Sequence, residues 1–294
     1  MEERLFLSGV LIPALCAAVA ASLLQGNLSR WSGAAMATAL LVSSANQQGS
    51  WAWPRAGEWT WIAVALATVA LCGAAAGNDA GSRTGRGVVC AVAACLVSLL
   101  LPLPGWQDAT ARITLAAASA LGAALLLPLG MHRGGFSSWL SCSLALAAPS
   151  VVALGCGFAK LAVTMAALSA TCGLMGVVTV FFRRPMPPKL SGTLVIALAC
   201  VSGSATAQAF DSLNTPAWVF VVAGAAPLGA WLGEAPPFRG RSLVSALARV
   251  VGVAAIAGLA IWAVAPRLAS NGDSDAYAVR GVDAPDHLAP PLVH

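Results

Sequence analysis

The side chains best suited to bind a small molecule are amides and carboxylates that follow two apolar segments. Asn46 ends the second apolar segment and Gln47 and Gln48 follow it, while Gln208 and Asp211 follow the eighth. Amide groups are unfavourable toward lipid, because the bilayer core offers them no hydrogen-bond partner. These five residues therefore predict a polar vestibule for an uncharged or zwitterionic solute at one membrane surface. The alternative is that they only hydrate two loops.

Metal, haem and redox chemistry are not indicated by the residues that usually support them. The three histidines are His132, His287 and His294, and none lies at the centre of an apolar segment, where a membrane haem would need it. No nucleophile–base pair or nucleotide-binding motif occurs. The cysteines include no Cys-x-x-Cys pair. All eight fall in apolar segments: Cys16, Cys72, Cys90, Cys95, Cys142, Cys156, Cys172 and Cys200. We therefore expect no enzyme activity, no metal and no cofactor.

Charged residues are too scarce for a soluble domain. The 294 residues include 16 basic and 11 acidic side chains, so that 9% are charged while 59% are hydrophobic. A soluble domain carries about 25% charged residues, and a disordered chain is less apolar. The apolar runs are also longer than the alternating segments of about ten residues in an outer-membrane barrel. The composition, with a mean hydropathy of +0.81, predicts an all-α, polytopic helical bundle in a lipid bilayer.

Ten apolar segments approach the length of about 20 residues that a membrane span needs. Together they predict one transmembrane domain over residues 1–265. The sixth and seventh could be two helices joined by a tight turn or one long kinked helix. Pro266 is expected to end the last helix, so residues 266–294 should form a flexible, acidic, proline-containing tail. The segments lie near residues 6–24, 32–46, 60–77, 88–104, 111–131, 138–158, 161–182, 190–207, 217–233 and 243–265.

The basic residues of the loops predict an orientation in the membrane. With ten spans, ten basic residues lie on one side and six on the other. Cytoplasmic loops carry the excess of Lys and Arg, so both termini should face outward. The predicted location is a bacterial inner (cytoplasmic) membrane. Arg249, about two turns into the tenth segment, is expected to snorkel to the inner interface.

Two parts of the chain, residues 1–104 and 161–265, resemble each other. Gly73 and Gly77 precede an arginine-containing loop, and Gly229 and Gly233 precede a similar loop 156 residues later. The match predicts a parallel repeat of four helices, related by an axis along the membrane normal. Glycines four residues apart also let helices approach closely, so these four are candidate helix-packing positions. The alternative is coincidence in a chain rich in Ala and Gly.

The span count, the repeat and the lack of any other domain favour a small-solute permease or secondary transporter. Its expected partners are the bilayer and a small uncharged or zwitterionic solute. A net charge of +5 reflects the inner loops and does not indicate nucleic-acid binding. The absence of charge in the middle of the spans favours the alternative, a non-transporting membrane subunit or scaffold of a larger membrane complex. The sequence names neither a solute nor an oligomeric state.

Overall fold

The chain is all-helical in a computed structural model that describes residues 7–23, 30–48, 59–76, 83–101, 103, 108–132, 135–183, 186–238 and 242–278. Helix accounts for 89%, and the described residues include no strand. The all-α prediction is therefore confirmed for this part of the chain.

Each of the ten predicted segments contains a helix within the described residues. We number them in chain order. The ninth changes from α-helix (Ala217–Ala225) to 3-10 helix (Ala226–Glu234) within one element. The bounds are α1 Leu7–Leu23, α2 Ser32–Gln48, α3 Trp61–Ala76, α4 Arg83–Leu100, α5 Ala109–His132, α6 Phe136–Gly155, α7 Ala159–Phe181, α8 Lys189–Ala209, α9 Ala217–Glu234 and α10 Ser242–Ala278.

Six of these helices, α5 to α10, are long and apolar enough to cross a membrane. Three more apolar stretches are shorter: Leu7–Leu23, Trp61–Ala76 and Gly87–Leu100. The remaining helix, α2, has 17 residues and ends in three consecutive amide side chains, which lower its hydropathy. The described structure thus has the helices of a polytopic membrane protein, with six candidate spans by length and composition.

The connection between α6 and α7 is a tight turn, so these are two helices and not one kinked helix. Gly157 has a φ of +82°, a backbone conformation that favours glycine. Its N–H donates to the Leu154 carbonyl at 3.0 Å, and the Phe158 N–H donates to the Ala153 carbonyl at 2.8 Å. These two bonds form a Schellman motif, which ends α6 and lets α7 pack back against it.

The last helix does not end at Pro266, contrary to the sequence-based prediction. α10 continues through this proline to Ala278, although its apolar part ends at Leu268. A proline removes one helical hydrogen bond and crowds one carbonyl, but the N–H groups after it can still bond within the helix. The acidic tail therefore begins later than expected within the described chain. Residues 279–294 lie outside the described residues, and the flexibility of the tail stays a prediction.

Helix α8 lies at the centre of the bundle, where 94% of its candidate span is buried. It packs against α2, α3, α5, α6 and α9. A helix that is apolar on all sides is expected to be buried, and α8 contains Leu, Val, Ile, Ala and small hydroxyl residues around its whole circumference. Helix α5, at 28% burial, is the most peripheral of the six candidate spans. A site inside the bundle would therefore be lined by residues of α8.

The N-terminal ends of α2 and α8 touch through a reciprocal pair of serines. Ser32 Oγ donates to the Pro188 carbonyl at 2.6 Å, and Ser191 Oγ donates to the Arg30 carbonyl. A Cβ added at Gly33 would lie 2.4 Å from the carbonyl carbon of Ser191, which is closer than real Cβ atoms approach. The two helix backbones are therefore in direct contact at this point.

Candidate functional site

A cleft of about 330 Å³ lies between α5, α8 and α9. Its lining is mainly apolar, with Leu125, Val201 and Phe220 on the three helices. Three of its lining residues, Thr114, Ser204 and Gln208, carry polar side chains, and no charged residue of the described chain lines it. We call this space the outer chamber, because it adjoins the C-terminal half of α8, which should lie toward the predicted outer side.

Two glycines keep the outer chamber open. A Cβ added at Gly122 on α5 would lie 3.5 Å from Val201 Cγ2, and one added at Gly224 on α9 would lie 3.5 Å from Ser204 Oγ. These are ordinary van der Waals distances, so neither glycine is required by a backbone contact. The missing side chains instead leave room in the chamber, because both residues line it.

Ser204 is the most unusual polar group of the outer chamber. Its side chain is 3% exposed, and its Oγ has no hydrogen-bond partner among the described residues. Its neighbours on α8 behave differently, since Ser202 Oγ donates to the Leu198 carbonyl at 2.5 Å and Thr206 Oγ1 to the Ser202 carbonyl at 2.7 Å. A buried hydroxyl without a partner is unfavourable, so this oxygen marks a place where a ligand could bond.

A second, smaller cavity of about 50 Å³ continues along α8 toward its N-terminal end. It shares Leu126 and Pro227 with the outer chamber. Its own lining includes the polar residues Ser141, Thr193 and Arg249. We call it the inner cavity. The two spaces together follow α8 from Pro188 to Gln208, which is nearly the length of this helix.

The inner cavity is bordered by a buried ion pair. Arg249 Nη2 lies 3.1 Å from Glu234 Oε1, with side-chain exposures of 9% and 17%, and it also donates to Ser245 Oγ at 2.8 Å. Ser245 Oγ in turn donates to the Gly233 carbonyl at 2.8 Å. The guanidinium of Arg249 reaches back along α10 to Ser245 and to Glu234 at the end of α9, where the carboxylate compensates its charge. Its snorkelling to the inner interface stays a prediction.

The 3-10 part of α9 lies against α10 through glycine backbones. A Cβ added at Gly229 would lie 2.4 Å from the carbonyl carbon of Gly252, and one added at Gly252 would lie 2.3 Å from the Gly229 carbonyl oxygen. At Gly233 an added Cβ would lie 2.3 Å from Arg249 Cγ. The close approach brings Glu234 within reach of Arg249. Pro227, the second residue of the 3-10 segment, lines both cavities.

The other pair of candidate packing glycines is only partly described. An added Cβ at Gly73 would lie 2.8 Å from Ser191 Cα, so α3 approaches α8 closely at this residue. Gly77 lies outside the described residues. Gly73 therefore contacts α8, whereas Gly229, its counterpart in the proposed repeat, contacts α10. The two glycines do not occupy equivalent packing environments.

The amides at the end of α2 bond to α1 and α7 and line neither cavity. Asn46 Nδ2 donates to the Ser8 carbonyl at 2.7 Å. Gln47 Nε2 donates to Thr164 Oγ1 at 2.7 Å and to Ser43 Oγ at 3.2 Å. Gln48 is half-buried at the last position of α2. These contacts connect three helices.

The two other predicted vestibule residues lie at the end of α8 but differ in their roles. Gln208 lines the outer chamber, one helical turn beyond Ser204. Asp211 accepts hydrogen bonds from the Leu213 N–H at 3.0 Å and from the N–H and hydroxyl of Thr215, so it orders the loop before α9. Gln47 lines neither the outer chamber nor the inner cavity, so these two spaces do not bring Gln47 and Gln208 together.

Sequence reasoning missed most of the cavity lining. Ser204 and Gln208 belong to the polar end of α8, but Thr114, Gly122, Gly224 and Arg249 carry no motif. The one available signal is a glycine inside an apolar segment, which is unfavourable for a helix unless space or a close approach requires it. Among the described residues no group of three or more His, Cys, Asp or Glu side chains could hold a metal ion.

Comparison with known proteins identifies no relative of this chain. No family of known proteins matches the chain, and neither does any curated protein or any solved structure.

Proposed function

We propose that this protein is a small-solute permease whose pathway follows α8 through the outer chamber and the inner cavity. The observation that carries the proposal is the pair of adjoining cavities, which together extend along nearly the whole of the central helix. The outer chamber, at about 330 Å³, falls within the range of about 300 to 1,000 Å³ that is typical of small-molecule sites.

The broken helix α9 supports the same function. Transporters bind their substrates beside discontinuous helices, because irregular backbone at membrane depth is tolerated where it lines a cavity. α9 changes from α-helix to 3-10 helix at Ala226, and Pro227 at this change lines both cavities. The solute is small and uncharged, since the described lining of the outer chamber carries no charge to compensate an ion.

The alternative function is a non-transporting membrane subunit. It is supported by an exposed apolar ridge on α10, formed by Leu243, Leu247 and Val251, which are four residues apart and 79%, 65% and 58% exposed. Such a ridge suits a partner helix as well as lipid. The transport experiment below distinguishes the two functions.

Cleft-filling substitutions test the permease proposal. We expect the native protein in liposomes to accelerate re-swelling in glycerol, urea or leucine, as measured by stopped-flow light scattering. Gly224→Leu and Gly122→Leu should return the rate to that of protein-free vesicles, because both side chains would extend into the outer chamber without a backbone clash. Gly258→Leu is the matched control, since nothing lies within 4 Å of its added Cβ.

Gel filtration in detergent would first establish that all three variants fold. A native protein that transports none of the three solutes would contradict the permease proposal and favour the subunit. Transport that survives both cleft-filling substitutions would show that the pathway lies elsewhere in the molecule.

We further propose that all ten helices cross a bacterial inner membrane, with both termini outside and a parallel repeat relating residues 1–104 to 161–265. Ser32 and Ser191 are each followed by a glycine near the start of the second and eighth segments, and their reciprocal contact supports the repeat. The different surroundings of Gly73 and Gly229 count against it. The excess of basic residues in alternate loops supports the orientation.

Cysteine labelling just before and just after α8 tests this orientation. In a background without the eight native cysteines, Asp211→Cys should react with a membrane-impermeant maleimide in intact cells. Arg183→Cys, on the loop before α8, should react only after permeabilisation. Reaction of both positions from the same side would refute the ten-span topology, because one helix between them must cross the membrane.

A further inference from the structure

The outer chamber opens sideways between α5 and α9. Leu121 on α5 and Val221 on α9 both line it, and their side chains are 61% and 68% exposed on the outside of the bundle. Large exposed apolar side chains on candidate membrane spans suit contact with acyl chains rather than with water. With α5 and α9 in a bilayer, this opening faces the lipid.

The chemistry of the chamber suits a ligand with one small polar group. A sugar carries more hydroxyl groups than the chamber has polar side chains, so several of them would lack partners against Leu125, Val201 and Phe220. At the wall of the chamber, however, the buried Ser204 Oγ lacks a partner in the described structure, and it would lie 3.5 Å from a Cβ added at Gly224. Ser204 is thus a buried hydroxyl without a partner at the wall of the chamber, whose other polar lining residues are Thr114 and Gln208.

We propose that the outer chamber binds an uncharged amphiphile that enters from the bilayer between α5 and α9 and bonds through a hydroxyl or carbonyl group to Ser204. The inference rests on the proposed permease function and names its substrate class and route of entry. The apolar body of the ligand occupies the space beside Gly122, while Gln208, one turn nearer the end of α8, is available to a second polar atom.

Photolabelling of the full chain in lipid nanodiscs tests this proposal. The probe is octanol that carries a photoactivatable diazirine, and the matched probe is the same diazirine alkane without the hydroxyl. We expect the alcohol probe to label residues of α5, α8 and α9 that line the chamber, and excess octanol to prevent the labelling. Gly224→Leu should abolish labelling of the chamber by both probes, and Gly258→Leu should leave it unchanged.

The Ser204→Ala variant tests whether a hydrogen bond to Ser204, rather than packing alone, contributes to binding of the alcohol. It should weaken competition by octanol about fivefold, the effect of one hydrogen bond, and leave labelling by the alkane probe unchanged. Its folding should be preserved, because the hydroxyl that it removes has no partner in the described structure. Labelling outside the chamber, labelling that survives Gly224→Leu, or an equal effect of Ser204→Ala on both probes would overturn the proposal.

The two proposals fail separately. Saturable labelling of the chamber by the alcohol in a protein that transports no solute would contradict the permease function and support the binding site. Transport that is blocked by Gly224→Leu, without labelling by the alcohol probe, would support the permease function. It would overturn the proposal that the chamber binds an amphiphile.

Discussion

Gly229→Ala should prevent α9 from packing against α10 and destabilise the protein by about 3 kcal/mol, the upper part of the usual range for overpacked positions. The added Cβ would lie 2.4 Å from both the carbonyl carbon and the carbonyl oxygen of Gly252, and 2.6 Å from the Val253 nitrogen. All three are backbone atoms, which cannot rotate away as the end of a side chain can. The midpoint of thermal unfolding in mild detergent is the measurement.

Gly258→Ala on α10 is the matched control for this prediction. It has the same chemistry and lies on one of the two helices in contact, but nothing lies within 4 Å of its added Cβ. We expect this variant to unfold at or slightly above the native temperature, because alanine favours a helix more than glycine does. Equal unfolding temperatures for Gly229→Ala and the native protein would mean that the backbones of α9 and α10 are farther apart than described.

Glu234→Ala should also be strongly destabilising, by about 3 kcal/mol, because it leaves the guanidinium of Arg249 buried without its carboxylate. The side chain of Arg249 is only 9% exposed, and Glu234 Oε1 lies 3.1 Å from its Nη2. The bond from Arg249 to Ser245 Oγ at 2.8 Å remains but carries no compensating charge. A titration of unfolding by denaturing detergent would measure the loss.

A double variant tests whether the lost stability comes from the ion pair of Glu234 and Arg249. Replacing both members, as in Glu234→Leu with Arg249→Leu, removes both buried charges, so it should restore most of the lost stability. A double variant that is less stable than Glu234→Ala would show that Arg249 stabilises the protein through other contacts and not through its ion pair. The prediction would then be wrong about the origin of the effect.

The helices could be predicted from the sequence because a bilayer imposes strict local requirements. Every backbone group in hydrocarbon must be bonded within its own segment, so an apolar run of sufficient length is a helix. The predicted range 190–207 corresponds to Lys189–Ala209, and 111–131 corresponds to Ala109–His132. Between α6 and α7 the sequence allows either a turn or a kinked helix, and the left-handed backbone at Gly157 decides for the turn.

The candidate site was less predictable because side-chain partners come from distant parts of the chain. Gln47 and Gln208 are similar in type and position, yet Gln47 bonds to Thr164 while Gln208 lines the outer chamber. Arg249 forms its ion pair because α9 places Glu234 beside it. Nothing in the spacing of these residues indicates which helix faces which, because packing in lipid depends on small residues and shape.

The sequence by itself determined the class of the protein and the positions of its helices, because composition and local backbone chemistry act over short distances. Only the tertiary structure decided that α8 lies at the centre, that Gly122 and Gly224 leave a chamber beside it, and that Ser204 is buried there with an unused hydroxyl. Helices of similar apolar composition can pack in many ways, and the contacts among them select one arrangement.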